Sequence, residues 1–172
     1  MAQQDNGPMA SGVIKRGKKF MVFTLGDDRF AIPLFQVKEV IGPAKITPLP
    51  DVPKYFKGLI NLRGRIISTL DLRTKLGIPF KEATLKKACI IISELSEIVI
   101  GTIVDDVAEV VSIEDTQIER QLDISSKISR EYITGVAKFE SKPLTILLDI
   151  AKVLNVEELA SVKKIANKEN VA

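Results

Sequence analysis

Residues 58–73 read GLINLRGRIISTLDLR, and this stretch decides the fold. Two apolar runs flank a polar knot, Asn61 to Arg65, and the second run ends in Asp71. Runs this short, bounded by turn residues, read as strands. FKGLINL and RIISTLDL are therefore expected to pair as a hairpin turning at Arg63-Gly64. LRTKLGI then reads as a short helix stopped by Gly77 and Pro79.

The same grammar extends outward. FMVFTL, a turn at Gly26-Asp27-Asp28 and RFAIPL form an earlier hairpin, the aspartates serving the turn. Phe35 to Ile41 is ambiguous between a helical turn and a strand. Pro43, Pro48, Pro50 and Pro53 then preclude a regular helix or central strand and leave an extended edge segment near Lys45–Leu49. In the second half KKACIIISEL, a turn near Ser96-Glu97 and IVIGTIVDD form another hairpin, followed by DVAEVVSI, a polar stretch 114–129, and EYITGVAKFESKPLTILLDIAKVL. VKEVI (37–41) matches VAEVV (107–111), and Gly58 to Asp71 matches Gly135 to Asp149. Such recurrence indicates two similar β-units packed over a shared apolar seam, since a unit of ~70 residues buries too little surface alone. Residues 1–17 read as a mobile tail. After Leu154, Val156, Leu159, Val162 and Ile165 form one stripe of an expected C-terminal helix, with Glu157 and Glu158 near its start.

The totals exclude much chemistry. The 172 residues carry a net charge of +3 from 25 basic and 22 acidic side chains, a mixed-sign surface that gives nucleic-acid binding little support. There is no histidine, hence no Ser-His-Asp arrangement, and no phosphate-binding loop or nucleophile elbow. Cys89 is the only cysteine and reads as a small buried hydrophobe in a reducing compartment. Asp105-Asp106 reads as a solvated strand end, because adjacent strand residues face opposite ways. No secretory signal and no membrane-spanning run is visible. No cofactor and no metal site is expected.

Arg63 and Arg65 remain to be explained. An arginine at a hairpin tip keeps its charge at any relevant pH and pairs with a carboxylate of its own chain or of a partner. As an exposed turn residue it contributes nothing measurable.

FKGLINLRGRIISTLDLR resembles the signature of CheW-type chemotaxis coupling proteins, which runs K-G-φ-φ-N-L-R-G-x-φ-φ-P-φ-φ-D-L-R. FTLGDDRFAIPLFQVKEVI, ITPLPDVPKYFKG and EYITGVAKFESKPLTILLDIAKVL extend the resemblance over residues 20–156. Ser68 departs from it, standing where the family usually has proline. The resemblance implies a mainly β fold: two SH3-like five-stranded barrels packed together, the first over about 20–80 and the second over about 86–150. The domain it implies is expected over 18–156, with a helix or tail over 157–172. It also implies a non-enzymatic adaptor that joins the cytoplasmic tip of methyl-accepting chemoreceptors to the regulatory domain of a CheA-type histidine kinase. Such a protein is cytoplasmic, recruited to receptor arrays without inserting into the membrane, monomeric when free, and uses no nucleic acid. The receptor hairpin is expected in a groove between the barrels, lined or supported by Val37, Glu39, Gly58, Arg63, Gly101 and Gly135. Val37 supplies buried area, and Arg63 pairs with Glu39 or with a receptor carboxylate. Gly58 and Gly135 keep the groove floor low, so Gly58→Val should block docking. The kinase surface is expected on the first barrel without assigned residues. The rival readings are a small β-barrel that binds single strands, marked by steep salt dependence, and an enzyme built from scattered carboxylates, marked by metal-dependent turnover.

Overall fold

The computed structural model describes residues 17–80, 82, 87–123, 128–155, 158, 160 and 164. Strands dominate them. The first hairpin is β1 (Lys18–Leu25) and β2 (Asp28–Pro33). A 3₁₀ turn over Leu34–Gln36 leads into β3 (Val37–Ile41), so both readings of this ambiguous stretch hold in succession. β4 (Phe56–Leu62) and β5 (Arg65–Asp71) form the expected hairpin, followed by α1 (Leu72–Leu76). β6 (Cys89–Leu95), β7 (Ile98–Val104) and β8 (Asp106–Ile113) come next. The last elements are β9 (Ile118–Glu119), β10 (Ile133–Ala137), β11 (Thr145–Leu148) and α2 (Ile150–Val153).

The strands form two sheets, ordered β8-β1-β2-β11-β10-β9 and β3-β6-β7-β5-β4. The mainly β, two-unit architecture is as expected. The expected contiguous units, 20–80 and 86–150, do not coincide with the sheets. Hairpin β1–β2 joins β8, β10 and β11, while hairpin β6–β7 joins β3, β4 and β5. Once the repeats are aligned the two orders are identical, with the leading hairpins exchanged. The reason lies in the strands: KKFMVFTL and CIIISEL are apolar on both faces, so each must be central, with a neighbour on either edge. β2 pairs in parallel with β11, and β7 in parallel with β5. One sheet has six strands, not five, because β9 is added. The ladders run open between their end strands.

Alternation along these strands sorts the side chains into three cores. Met21, Phe23, Leu25, Phe30, Ile91, Ile100 and Leu148 meet in the largest, the seam shared by both sheets. Phe20, Val22, Ala31 and Leu147 point the other way, into the six-stranded sheet's own core. Ile60, Ile67, Ile90 and Ile92 fill that of the five-stranded sheet.

The repeat reaches into local detail. In V-x-E-V the register shifts between Val37 and Glu39, and the same bulge falls opposite Val22/Phe23, where Glu109 and Val107 pair. A second bulge precedes Gly58, and again Gly135. Asp71 caps α1 by accepting from Arg73 N at 3.0 Å, and Asp149 caps α2 by accepting from Ala151 N at 3.0 Å. Gly77 ends α1 in the left-handed conformation at φ 70°. The proline segment 43–53 pairs with the five-stranded sheet only at Thr47, opposite Leu59, because proline has no amide to donate. β9, which has no proline, makes the corresponding ladder to β10.

Residues 1–16 of the expected 1–17 tail lie outside the described residues, as do Val156, Leu159, Val162 and Ile165. Glu158, Ala160 and Lys164 are helical.

Candidate functional site

The β4–β5 hairpin turns on two residues, Arg63 at φ 52° and Gly64 at φ 83°. Two positive φ angles in a two-residue loop match the right-handed strand twist, which is why this turn holds glycine. Asn61 Oδ1 accepts Gly64 N at 2.9 Å and fixes the turn. From this turn the Arg63 side chain reaches Glu39 on edge strand β3. The guanidinium donates to both Glu39 oxygens, at 2.9 and 3.0 Å. This bidentate pair raises the pKa of Arg63 above its ordinary value, the hydrogen bond contributing first. Yet the Arg63 side chain stays 74% exposed. Around the pair lies a pocket of about 490 Å³ lined by Lys38, Leu62, Arg65, Ile67, Ile92 and Val99. Val37 begins the same strand and is half-buried against the shared seam.

The three glycines do not join this cluster. A Cβ on Gly58, at φ 140°, would lie 2.1 Å from Thr47 O. Glycine is needed there because the Thr47 segment crosses the strand, its N and O bonded to Leu59 O and N at 2.8 Å each. A Cβ on Gly135 would lie 2.5 Å from Ile118 Cγ2 on β9. On Gly101 it would meet Ile90 Cγ2 at 2.9 Å inside the sheet's core. These positions serve close packing of the chain on itself. The seam between the sheets is filled with buried side chains.

The second repeat reproduces the carboxylate–cation fixture. Glu109, the counterpart of Glu39, accepts from Lys142 Nζ and from Arg29 Nη2, each at 2.6 Å. The hydrogen bonds from Lys142 and Arg29 hold its carboxyl below the usual range.

Three features were missed by sequence reasoning. Phe35, in the 3₁₀ turn before β3, is 87% exposed. It borders an apolar groove of about 570 Å³ with Phe20, Pro33, Leu34, Ile118 and Leu147, rimmed by Lys18, Lys19 and Arg120. An apolar–aromatic run between two strands was the available signal, but it reads equally as core. Asp105 is buried at 3%, not solvated as expected. It accepts Gly26 N at 2.7 Å and pairs with Arg73 Nη1 at 2.9 Å. Arg73 is itself buried, near Asp71 and under the Phe80 ring at 4.8 Å. This network ties α1 to the first hairpin's turn, across the seam. The third is a junction of Tyr55, Lys75 and Glu158.

Cys89 is half-buried, and burial followed by the nearby Asp106 raises its thiol pKa, which disfavours the reactive thiolate. Among the described residues no group of three or more His, Cys, Asp or Glu is placed to hold a metal ion. None of their helices is long and apolar enough to cross a membrane.

Comparison with known proteins matches this architecture. The family model described as the CheW-like domain matches residues 19–158. "Chemotaxis protein CheW" of Klebsiella aerogenes is 34% identical, over 87% of this chain and 89% of that protein. The Bacillus subtilis protein of the same name is also 34% identical, over 86% of this chain and 94% of its own length. The crystal structure of scaffolding protein TtCheW from Thermoanaerobacter tengcongensis superposes with a TM-score of 0.74 at 33% identity, covering 83% of this chain and 95% of that one. With a matched domain over most of its length and the same fold, the chain belongs to the CheW-like domain family of chemotaxis proteins.

Proposed function

We propose that the protein is a non-enzymatic adaptor that couples methyl-accepting chemoreceptors to the regulatory domain of a CheA-type histidine kinase. It works as a cytoplasmic monomer drawn to receptor arrays through protein contacts alone. An adaptor needs two surfaces that do not overlap, and two recognition surfaces of different chemistry lie on different sheets.

The observation that carries the reading is Arg63, a cation locked in orientation by Glu39 yet open to solvent. Its orientation is fixed before a partner arrives, so little side-chain entropy is lost on docking. Its unused donors suit a receptor carboxylate, with Lys38 and Arg65 flanking and Val37 bracing the same strand from the seam. A helical hairpin tip with one acidic residue fits such a pocket. Gly58, Gly101 and Gly135 support this surface only through the backbone packing they permit. The apolar groove beside Phe35 is the kinase-facing surface. A fully presented aromatic next to a hydrophobic trough has the character of an interface anchor.

Arg63→Ala is expected to weaken capture of a receptor hairpin fragment by about tenfold, read by titration calorimetry. Its urea midpoint should match that of the parent, because the side chain is exposed. Unchanged receptor affinity with soluble variant protein would remove Arg63 from the site. Phe35→Asp should likewise leave stability within about 0.5 kcal/mol of the parent. It should reduce co-elution with the kinase regulatory domain while receptor binding persists. Undiminished kinase co-elution would move that surface elsewhere.

A further inference from the structure

Glu158 sits where three parts of the chain meet. One carboxylate oxygen accepts the Tyr55 hydroxyl and Lys75 Nζ, the latter at 2.6 Å. The other accepts Asn155 N at 3.0 Å, while Glu158 N donates to Asn155 Oδ1 at 2.8 Å, a reciprocal capping box. Lys75 also lies 4.3 Å from the centre of the Tyr55 ring, completing a closed triangle. The side chains of Lys75 and Glu158 are only 12% and 19% exposed.

The members come from distant parts of the chain. Tyr55 directly precedes β4, and Lys75 lies in α1, both attached to the five-stranded sheet. Asn155 and Glu158 follow α2, which itself follows β11 of the six-stranded sheet. Tyr55 O also accepts Asp71 N at 2.7 Å, so the start of β4 and the cap of α1 are tied to the same point. Exposed ion pairs contribute little, but charge-assisted bonds shielded from water contribute more. Burial pushes the Tyr55 hydroxyl pKa up, and the bond to Glu158 adds to it. Burial works to raise Glu158 as well, yet the hydrogen bonds from Lys75 and Tyr55 override it and hold the carboxyl below its usual range.

We propose that Glu158 is a latch that fastens itself and Asn155, from the end of the second repeat, onto Tyr55 and Lys75 of the first. Its release frees Asn155 and Glu158 from the five-stranded unit while both sheets remain folded. The device is separate from the Arg63 and Phe35 surfaces.

Lys75→Met and Tyr55→Phe test the latch, because both keep every group of the capping box, so faster exchange at its two amides reports a box that opens more often once untied. Amide hydrogen exchange is read residue by residue in the full chain. Either substitution should speed exchange at Asn155 and Glu158 by about tenfold, the loss of one shielded, charge-assisted bond, with Leu59 and the other strand amides unchanged. The two together should have less than the summed effect, since both act on one carboxylate. Glu158→Gln should let Tyr55 ionise at lower pH, because the carboxylate that holds its proton is gone; the chain's two tyrosines and lack of tryptophan make this readable by absorbance. Unchanged exchange at Asn155 and Glu158 overturns the proposal. So does equal acceleration throughout the strands, which would make the triangle part of the general core.

Discussion

Gly58→Val is expected to cost about 4 kcal/mol of folding stability. Its φ of 140° is a conformation that only glycine adopts readily, and a Cβ would stand 2.1 Å from Thr47 O. Backbone strain there costs roughly 1–3 kcal/mol. Moving the Thr47 segment away breaks its two bonds to Leu59, each 2.8 Å long and worth about 1 kcal/mol. A domain of ordinary stability, about 5–15 kcal/mol, would be left marginal or partly unfolded. The measurement is a urea titration followed by circular dichroism. A variant that keeps the parent midpoint but loses receptor binding would restore Gly58 to a groove floor and contradict the packing role.

Arg73→Ala should be nearly as severe, about 3–5 kcal/mol, because it strands the buried carboxylate of Asp105 without its cation. The loss is not that of an ordinary surface pair, since the two side chains are 5% and 4% exposed. Asp105 retains Gly26 N at 2.7 Å, so the turn of the first hairpin loses its tie to α1 rather than its whole support. Thermal unfolding compared with that of Arg63→Ala separates the two arginines. Arg73→Ala should lower Tm by many degrees and Arg63→Ala by almost none. Equal, small shifts would show the buried network to be dispensable.

Much of this was legible in the chain itself. The hairpin turns at Gly26, Ser96 and Arg63-Gly64 follow from local chemistry, and Asp71 and Gly77 bracket α1 as their residue types require. The recurrence of V-x-E-V and of glycine before φ-D-φ is a real repeat, matched down to its bulges. The partnership of Glu39 and Arg63 was one of two readings open at the turn, and the structure makes it within the chain. What was hidden depends on contacts between distant segments. The apolar run in KKFMVFTL tells that both faces are buried but not which sheet receives the strand, so the exchange of hairpins β1–β2 and β6–β7 left no local trace. Asp105 looked solvated because its cation partner, Arg73, arrives from another element. Gly58 and Gly135 carried the right signal, a need for close approach, but the approaching body is the chain's own Thr47 segment or β9.

A ternary binding experiment tests the central claim most directly. A receptor hairpin fragment and a CheA-type regulatory domain are titrated into the protein, alone and together, with Arg63→Ala and Phe35→Asp run beside the parent. The account predicts that both partners bind at once, that Arg63→Ala weakens only the receptor fragment, and that Phe35→Asp weakens only the kinase domain. Mutual displacement of the two partners, or loss of both by either substitution, would contradict two separate surfaces on one scaffold.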